Sequence, residues 1–128
     1  MPAADSAFSY AIVRVVPDLE RGEFINAGVV LFARQHDFLA ARVELDRQRL
    51  AAVCPESDAD SATAALTALA RVAAGEPDAG RMAGLPKSER FGWLVAPSST
   101  IVQCSATHTG ITADPQTSLD ELFAELVL

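Results

Sequence analysis

Aromatic residues and cysteines are scarce in this sequence. Aromatic residues make up 6% of the chain, and the two cysteines are Cys54 and Cys104. Half of the residues are apolar, so the core must consist mainly of aliphatic side chains and alanine. Two thiols that do not form a C-x-x-C pair cannot hold a zinc ion alone, and we expect both to be reduced and partly buried. We predict one domain over residues 1–128, with residues 1–6 as a disordered tail.

Long apolar runs and the common phosphate and metal motifs are also missing. No run approaches the roughly 20 residues that span a bilayer, and Met1–Ser6 does not resemble a signal peptide. We therefore expect a cytoplasmic protein that does not bind a membrane. There is no G-x-x-x-x-G-K-[ST], G-x-G-x-x-G or H-E-x-x-H motif, which disfavours nucleotide hydrolysis and zinc peptidase chemistry. With His36 and His108 as the only histidines, we predict no metal and no cofactor.

The charge balance is strongly acidic. The net charge is −7 and the pI is about 4.6, which repels nucleic acid and anionic membranes at long range. All the basic residues except Lys87 are arginines, and the arginine guanidinium pairs well with carboxylate and phosphate. Nucleic-acid binding would need a local patch from Arg34, Arg42, Arg47 and Arg49. We predict no nucleic-acid partner.

The first third of the chain predicts strands. Runs rich in β-branched and aromatic residues cover 8–16, 24–33 and 38–45, and their short links favour an antiparallel meander. Alternation places Tyr10, Ile12 and Arg14 on one face of the first strand. In the second strand it places Asn26 and Gly28 together on a face that we expect to meet Arg14.

After Leu45 the pattern predicts helices. Asp46 is suited to cap a short helix, and Ser57 or Asp58 to open a longer one that ends near Ala74 before Gly75. A further short helix is expected within 86–94, a fourth strand over 100–106 and a last helix after Asp114. The order β-β-β-α-α-α-β-α predicts an α+β fold, with an antiparallel sheet of about four strands and helices mainly on one face.

A polar cluster is the best candidate for a binding site. Arg14 and Asn26 lie in apolar strands, where an unpaired polar group costs about 1–3 kcal/mol. The structural interpretation is an internal ion pair of Arg14 or Arg90 with Glu23. The functional interpretation is a ligand site, because perturbed polar groups often mark sites. The candidate binding residues are Arg14, Glu23, Asn26, Arg90, Trp93, Ser105 and His108. A Cys104–His108 nucleophile is disfavoured, because residues four apart on a strand lie about 13 Å apart.

Four blocks of this chain resemble bacterial domain-of-unknown-function family 3037: residues 10–14, 23–32, 88–97 and 105–110. They occur in the family's order and span nearly the whole chain. The family usually has proline after the serine that matches Ser105, whereas this chain has Ala106. The resemblance implies no reaction. It does imply an accessory role beside a HipA-like kinase, because family members are often encoded next to one.

Two classes of function follow from these observations. The first is a non-enzymatic accessory or interaction module for a protein partner such as a kinase-like protein. The small size and the lack of a nucleophile–base pair favour this class. The alternative is an enzyme that binds a small molecule or phosphate with Arg14, Arg90 and His108 around Glu23. Convergence of these four side chains on an open concavity would favour the alternative.

Overall fold

A computed structural model describes residues 5–128 as an α+β fold with an antiparallel sheet, which confirms the predicted fold class. The strands are β1 (Ser6–Val15), β2 (Ile25–Ala33), β3 (Phe38–Val43), β4 (Val102–Cys104) and β5 (His108–Thr112). The helices are α1 (Arg47–Val53), α2 (Ala59–Ala74), α3 (Lys87–Val95) and α4 (Pro115–Leu126). Short 3-10 helices span Arg34–His36 and Arg81–Gly84. No helix among residues 5–128 is long and apolar enough to cross a membrane.

The sheet is organised around β1. Its strand order is β3-β2-β1-β4, and β5 also pairs with β1. All of these pairings are antiparallel. Within the predicted fourth strand, 100–106, only β4 forms. β5 lies beyond the predicted end and pairs with the same side of β1. Ser6, which we predicted to lie in a disordered tail, belongs to β1, and residues 1–4 lie outside the described part of the chain.

A bulge in β2 changes the predicted faces of that strand. Val13 pairs with Gly28, but Arg14 pairs with Asn26, so Ala27 is the extra residue. Up to Ala27, the odd-numbered residues of β2 face one core. After the bulge, Val30 faces that core instead. The prediction that Asn26 and Gly28 share a face was therefore wrong, because simple alternation cannot anticipate an inserted residue.

Local capping signals explain where α1, α2 and α4 begin and where α2 ends. The Asp46, Asp58 and Asp114 side chains accept hydrogen bonds from backbone N–H groups in the first turns of α1, α2 and α4. Gly75 ends α2 in the left-handed conformation at φ 73°. A carboxylate at the N-cap satisfies otherwise unpaired N–H groups and complements the helix dipole. These boundaries follow from sequence neighbours, which is why they were predictable.

The helices divide between the two faces of the sheet. α1, α2 and α3 cover one face, with a core that contains Val13, Val30, Leu50, Leu66 and Phe91. α4 covers the other face, where Leu119 and Phe123 pack on Val29 and Leu31. Its main contacts are with β2 and β3. On the α4 face of β1, Tyr10, Ile12 and Arg14 consequently remain only partly buried.

Gly28 is required by close packing, but it does not lie on the face that meets Arg14, where we predicted it. A Cβ there would lie 2.7 Å from the Arg42 carbonyl oxygen and 2.8 Å from Val43 Cγ1. Val43 belongs to the core under α1–α3, whereas Arg14 points to the α4 face. Gly28 therefore lets β3 approach β2 closely.

We expect Gly28→Val to lower the free energy of unfolding by about 1–3 kcal/mol or more, because backbone atoms must move to admit the side chain. Urea denaturation measures this. The matched control is Gly92→Ala in α3, where an added Cβ meets nothing within 4 Å. That change should stabilise by about 0.5–1 kcal/mol. Equal stability of Gly28→Val and wild type would contradict the close approach.

Candidate functional site

The candidate site is a half-exposed strip of the sheet on the α4 face. We call it the β1 shelf, and its six residues are Tyr10, Ile12, Arg14, Phe24, Asn26 and His108. Tyr10, Ile12 and Arg14 alternate along β1 and are all partly buried. Arg14 faces Asn26 on β2, and Tyr10 faces His108 on β5. At the strand rise, Tyr10 and Arg14 lie about 13 Å apart, so the shelf has room for an extended segment of a few residues.

Arg14 is the unusual member of the shelf. Its guanidinium carbon lies 4.1 Å from the centre of the Phe24 ring. Its Nε atom is buried without a hydrogen-bond partner. No carboxylate within residues 5–128 forms an ion pair with it. The predicted internal pair with Glu23 is therefore not formed, and a partly desolvated cation remains uncompensated within the described chain.

Asn26 anchors α4 beside Arg14. Its Nδ2 donates a 3.0 Å hydrogen bond to the Leu126 carbonyl at the end of α4. Its Oδ1 is buried and has no hydrogen-bond partner among residues 5–128. Arg49 donates a 2.8 Å bond to the neighbouring Val127 carbonyl. Two side chains thus satisfy carbonyls that the helix leaves free, and they fix the end of α4 next to the shelf.

Ser105 positions His108 through a second bulge. The Ser105 Oγ accepts a 2.9 Å hydrogen bond from the Ile12 N–H, in place of a backbone carbonyl. One extra residue is accommodated between the Val13–Cys104 and Tyr10–His108 pairs. The exposed His108 ring then lies 5.4 Å from the Tyr10 ring centre. Ser105 itself is buried and is a positioning residue for the shelf.

Arg90 does not belong to this surface. It is a buried residue of α3, on the side of the sheet that α1–α3 cover. Its Nη1 donates to the Leu85 carbonyl at 2.7 Å, and its Nη2 donates to the Ala73 carbonyl at 3.3 Å. Its guanidinium also packs on Gly75, where a Cβ would lie 3.3 Å from Nη2. Arg90 therefore satisfies a free carbonyl at the C-terminal end of α2 and ties that end to the loop before α3.

Glu23 and Trp93 also lie apart from the rest of the predicted cluster. Glu23 is exposed and pairs with Arg21. It lines a cavity of about 320 Å³ between the β1–β2 loop and the end of α1. Trp93 is 62% exposed on α3. The predicted seven-residue cluster is thus divided: Arg14, Asn26 and His108 lie on the shelf, Ser105 supports it, and Arg90, Glu23 and Trp93 lie elsewhere.

The cysteine–histidine pair is separated as well. Cys104 lies opposite Val13 and packs into the core under α1–α3, whereas His108 lies on the α4 face with Tyr10. The bulge at Ser105 reverses the faces that simple alternation predicts. Burial raises the pKa of the Cys104 thiol to about 11, and the charge of nearby Arg14 only partly offsets this. Such a thiol is a poor nucleophile at neutral pH. No group of three or more His, Cys, Asp or Glu side chains within residues 5–128 is placed to hold a metal ion.

Sequence reasoning missed Tyr10, Ile12 and Phe24 as site residues. The alternation along β1 had placed Tyr10 and Ile12 on the face of Arg14, so the signal was present. Because both faces of the strand are largely apolar, the pattern predicts a central strand and does not distinguish a binding face. The position of α4 over β2 and β3 leaves Tyr10 and Ile12 partly exposed, and the sequence pattern does not specify that position.

The model of a protein family of unknown function, DUF3037, matches residues 10–127. The chain belongs to the DUF3037 family. The match covers nearly the whole chain, and it includes the shelf residues and both bulges. Comparisons with curated proteins and with solved structures gave no match. Membership of DUF3037 identifies the kind of domain without assigning it a reaction.

We expect Arg90→Met to destabilise this DUF3037 chain by about 1–3 kcal/mol, because a buried and a partly buried carbonyl lose a charged donor. The control is Arg81→Met, since Arg81 is exposed and forms no ion pair within residues 5–128. Urea midpoints measure both effects. Unchanged stability of Arg90→Met would show that Arg90 is not needed to cap α2.

The Cys104 thiol should make stability fall at alkaline pH. Its pKa is raised from 9.0 to about 11 by burial. Below about pH 9 the thiol is neutral in both states, and between pH 9 and 11 only the unfolded chain loses the proton. Wild type should therefore lose about 1–2 kcal/mol more than Cys104→Ala between pH 8 and pH 10.5. Denaturation of both proteins at the two pH values measures the difference. Parallel pH dependence would contradict the burial of this thiol.

Proposed function

We propose that this chain is a non-catalytic accessory module that binds a protein partner through the β1 shelf. The observation that carries the proposal is the contiguous strip of Tyr10, Ile12 and Arg14 that α4 leaves half-open, with the Phe24 ring against Arg14. Tyrosine and arginine are enriched among the residues that dominate binding energy at protein interfaces. A flat, mixed apolar and cationic strip is suited to a macromolecular surface more than to an enclosed small ligand.

The placement of the titratable groups favours binding over catalysis. The alternative enzyme needs Arg14, Arg90 and His108 around Glu23. Arg90 instead donates to backbone carbonyls under α1–α3, and Glu23 pairs with Arg21 in the β1–β2 loop. Acid–base and nucleophilic chemistry requires the participating groups to lie within hydrogen-bond reach of one substrate. These side chains do not meet that requirement.

The charge distribution supports a protein partner over nucleic acid. Of the four arginines that a basic patch would need, Arg42, Arg47 and Arg49 form ion pairs with Asp120, Asp60 and Asp46. Their positive charge is therefore largely compensated locally, within a chain of net charge −7. Following the family resemblance, we propose a kinase-like protein in the cytoplasm as the partner.

Tagged wild type purified from its native host should retain a stoichiometric partner that Ile12→Glu loses, because a carboxylate would be buried in the apolar centre of the shelf. The matched control is Ile111→Glu. Ile111 is 73% exposed and pairs with Ala7 on the opposite face of the sheet, so this variant should keep the partner. Melting temperatures establish that both variants are folded. Loss of the partner from neither variant, or from both equally, would contradict the shelf as the binding surface.

A further inference from the structure

We propose that the β1 shelf recognises a carboxylate side chain of the partner, held by the terminal nitrogens of Arg14. This inference rests on the proposed function and names the chemistry of the bound segment. The occupant is an extended, mostly apolar protein segment that presents one aspartate or glutamate.

The state of the Arg14 guanidinium is the first reason. Its Nε atom is fully buried without a partner. None of the hydrogen bonds or ion pairs formed within residues 5–128 engages its terminal nitrogens, and the side chain is only partly buried. The terminal nitrogens therefore lie at the shelf surface with their donors available. A carboxylate accepts two parallel N–H bonds from that edge of an arginine.

The rigidity of Arg14 is the second reason. Its guanidinium carbon lies 4.1 Å from the centre of the Phe24 ring. The Arg14 backbone is held between two strands, opposite Asn26 on β2 and opposite Gln103 on β4. A stacked, partly desolvated guanidinium has lost much of its rotamer freedom before a ligand arrives. Binding therefore costs less entropy than at a flexible surface arginine.

The surroundings of Arg14 select the rest of the segment. The shelf residues on its β1 side are Ile12 and Tyr10, which favour apolar neighbours of the carboxylate. The net charge of −7 repels a highly acidic chain. A single carboxylate between apolar residues satisfies both constraints. Salt screens its repulsion from acidic groups of this chain that lie more than about 8 Å away, whereas its attraction to Arg14 acts at contact.

The other arginines offer no equivalent. Arg21, Arg42, Arg47, Arg49 and Arg71 already form ion pairs with carboxylates of this chain. Arg90 is buried and donates to carbonyls. Arg34 and Arg81 are exposed on the two 3-10 helices and lack a comparable desolvated setting.

NMR titration with two capped tripeptides, Leu-Glu-Leu and Leu-Gln-Leu, tests the inference. In the full-length ¹⁵N-labelled protein, Leu-Glu-Leu should give saturable shifts at the Arg14 Nε–H and at the amides of Ile12, Phe24 and Asn26. Leu-Gln-Leu should bind about ten-fold more weakly or not at all, because it lacks the charge. Arg14→Gln should lose the preference for glutamate. Arg14→Lys should keep only part of it, since lysine cannot form the paired hydrogen bonds.

Arg47→Gln is the matched control, because Arg47 is exposed and already paired with Asp60. It should bind Leu-Glu-Leu as wild type does. Equal binding of the two peptides, shifts centred on other arginines, or an unchanged preference in a folded Arg14→Gln would each overturn the proposal.

The partner experiment separates this inference from the proposed function. If Ile12→Glu loses the partner but Arg14→Gln retains it at wild-type affinity, the shelf is the docking surface and carboxylate recognition is wrong. If both variants retain the partner, the docking surface itself is wrong.

Discussion

The structure depends on the pairing of β1 with a bulged strand on each side. Ala27 is the extra residue in β2, and Ser105 begins the irregular stretch between β4 and β5. Each bulge changes which side chains share a face, because the side-chain period of a strand is two. Together they place Asn26 beside Arg14 and His108 beside Tyr10 on one face of the sheet. Without either bulge the shelf would lose one of its flanks.

The two faces of the sheet have different roles. α1, α2 and α3 cover much of one face, where Arg90 donates to backbone carbonyls and the partly buried Cys104 thiol stays neutral at neutral pH. α4 covers the other face only over β2 and β3, and the end of that helix is fixed by Asn26 and Arg49. The open strip beside α4 is therefore held by rigid elements, which suits a binding surface.

Two arginines with similar sequence settings have opposite roles. Arg14 and Arg90 both occur among apolar residues, and the sequence was consistent with an ion pair of either arginine with Glu23. In the structure Arg90 has two carbonyl partners, while Arg14 stacks on Phe24 and has no counter-ion within residues 5–128. Desolvation without compensation costs stability, and charged groups in such surroundings are frequent at functional sites.

The sequence by itself determined the α+β class, the helix starts at Asp46 and Asp114, a helix start at Ser57 or Asp58, and the end of α2 at Gly75. Capping and periodicity act between near neighbours, which is why these features were predictable. Only the tertiary structure decided the register beyond the bulges, the partner of Arg90 and the exposure of Tyr10 and Ile12. These depend on contacts distant in the chain, such as the Ile12 N–H with Ser105 and Asn26 with Leu126. A one-residue change of register exchanges the faces of a strand, and no local pattern records where an extra residue is accommodated.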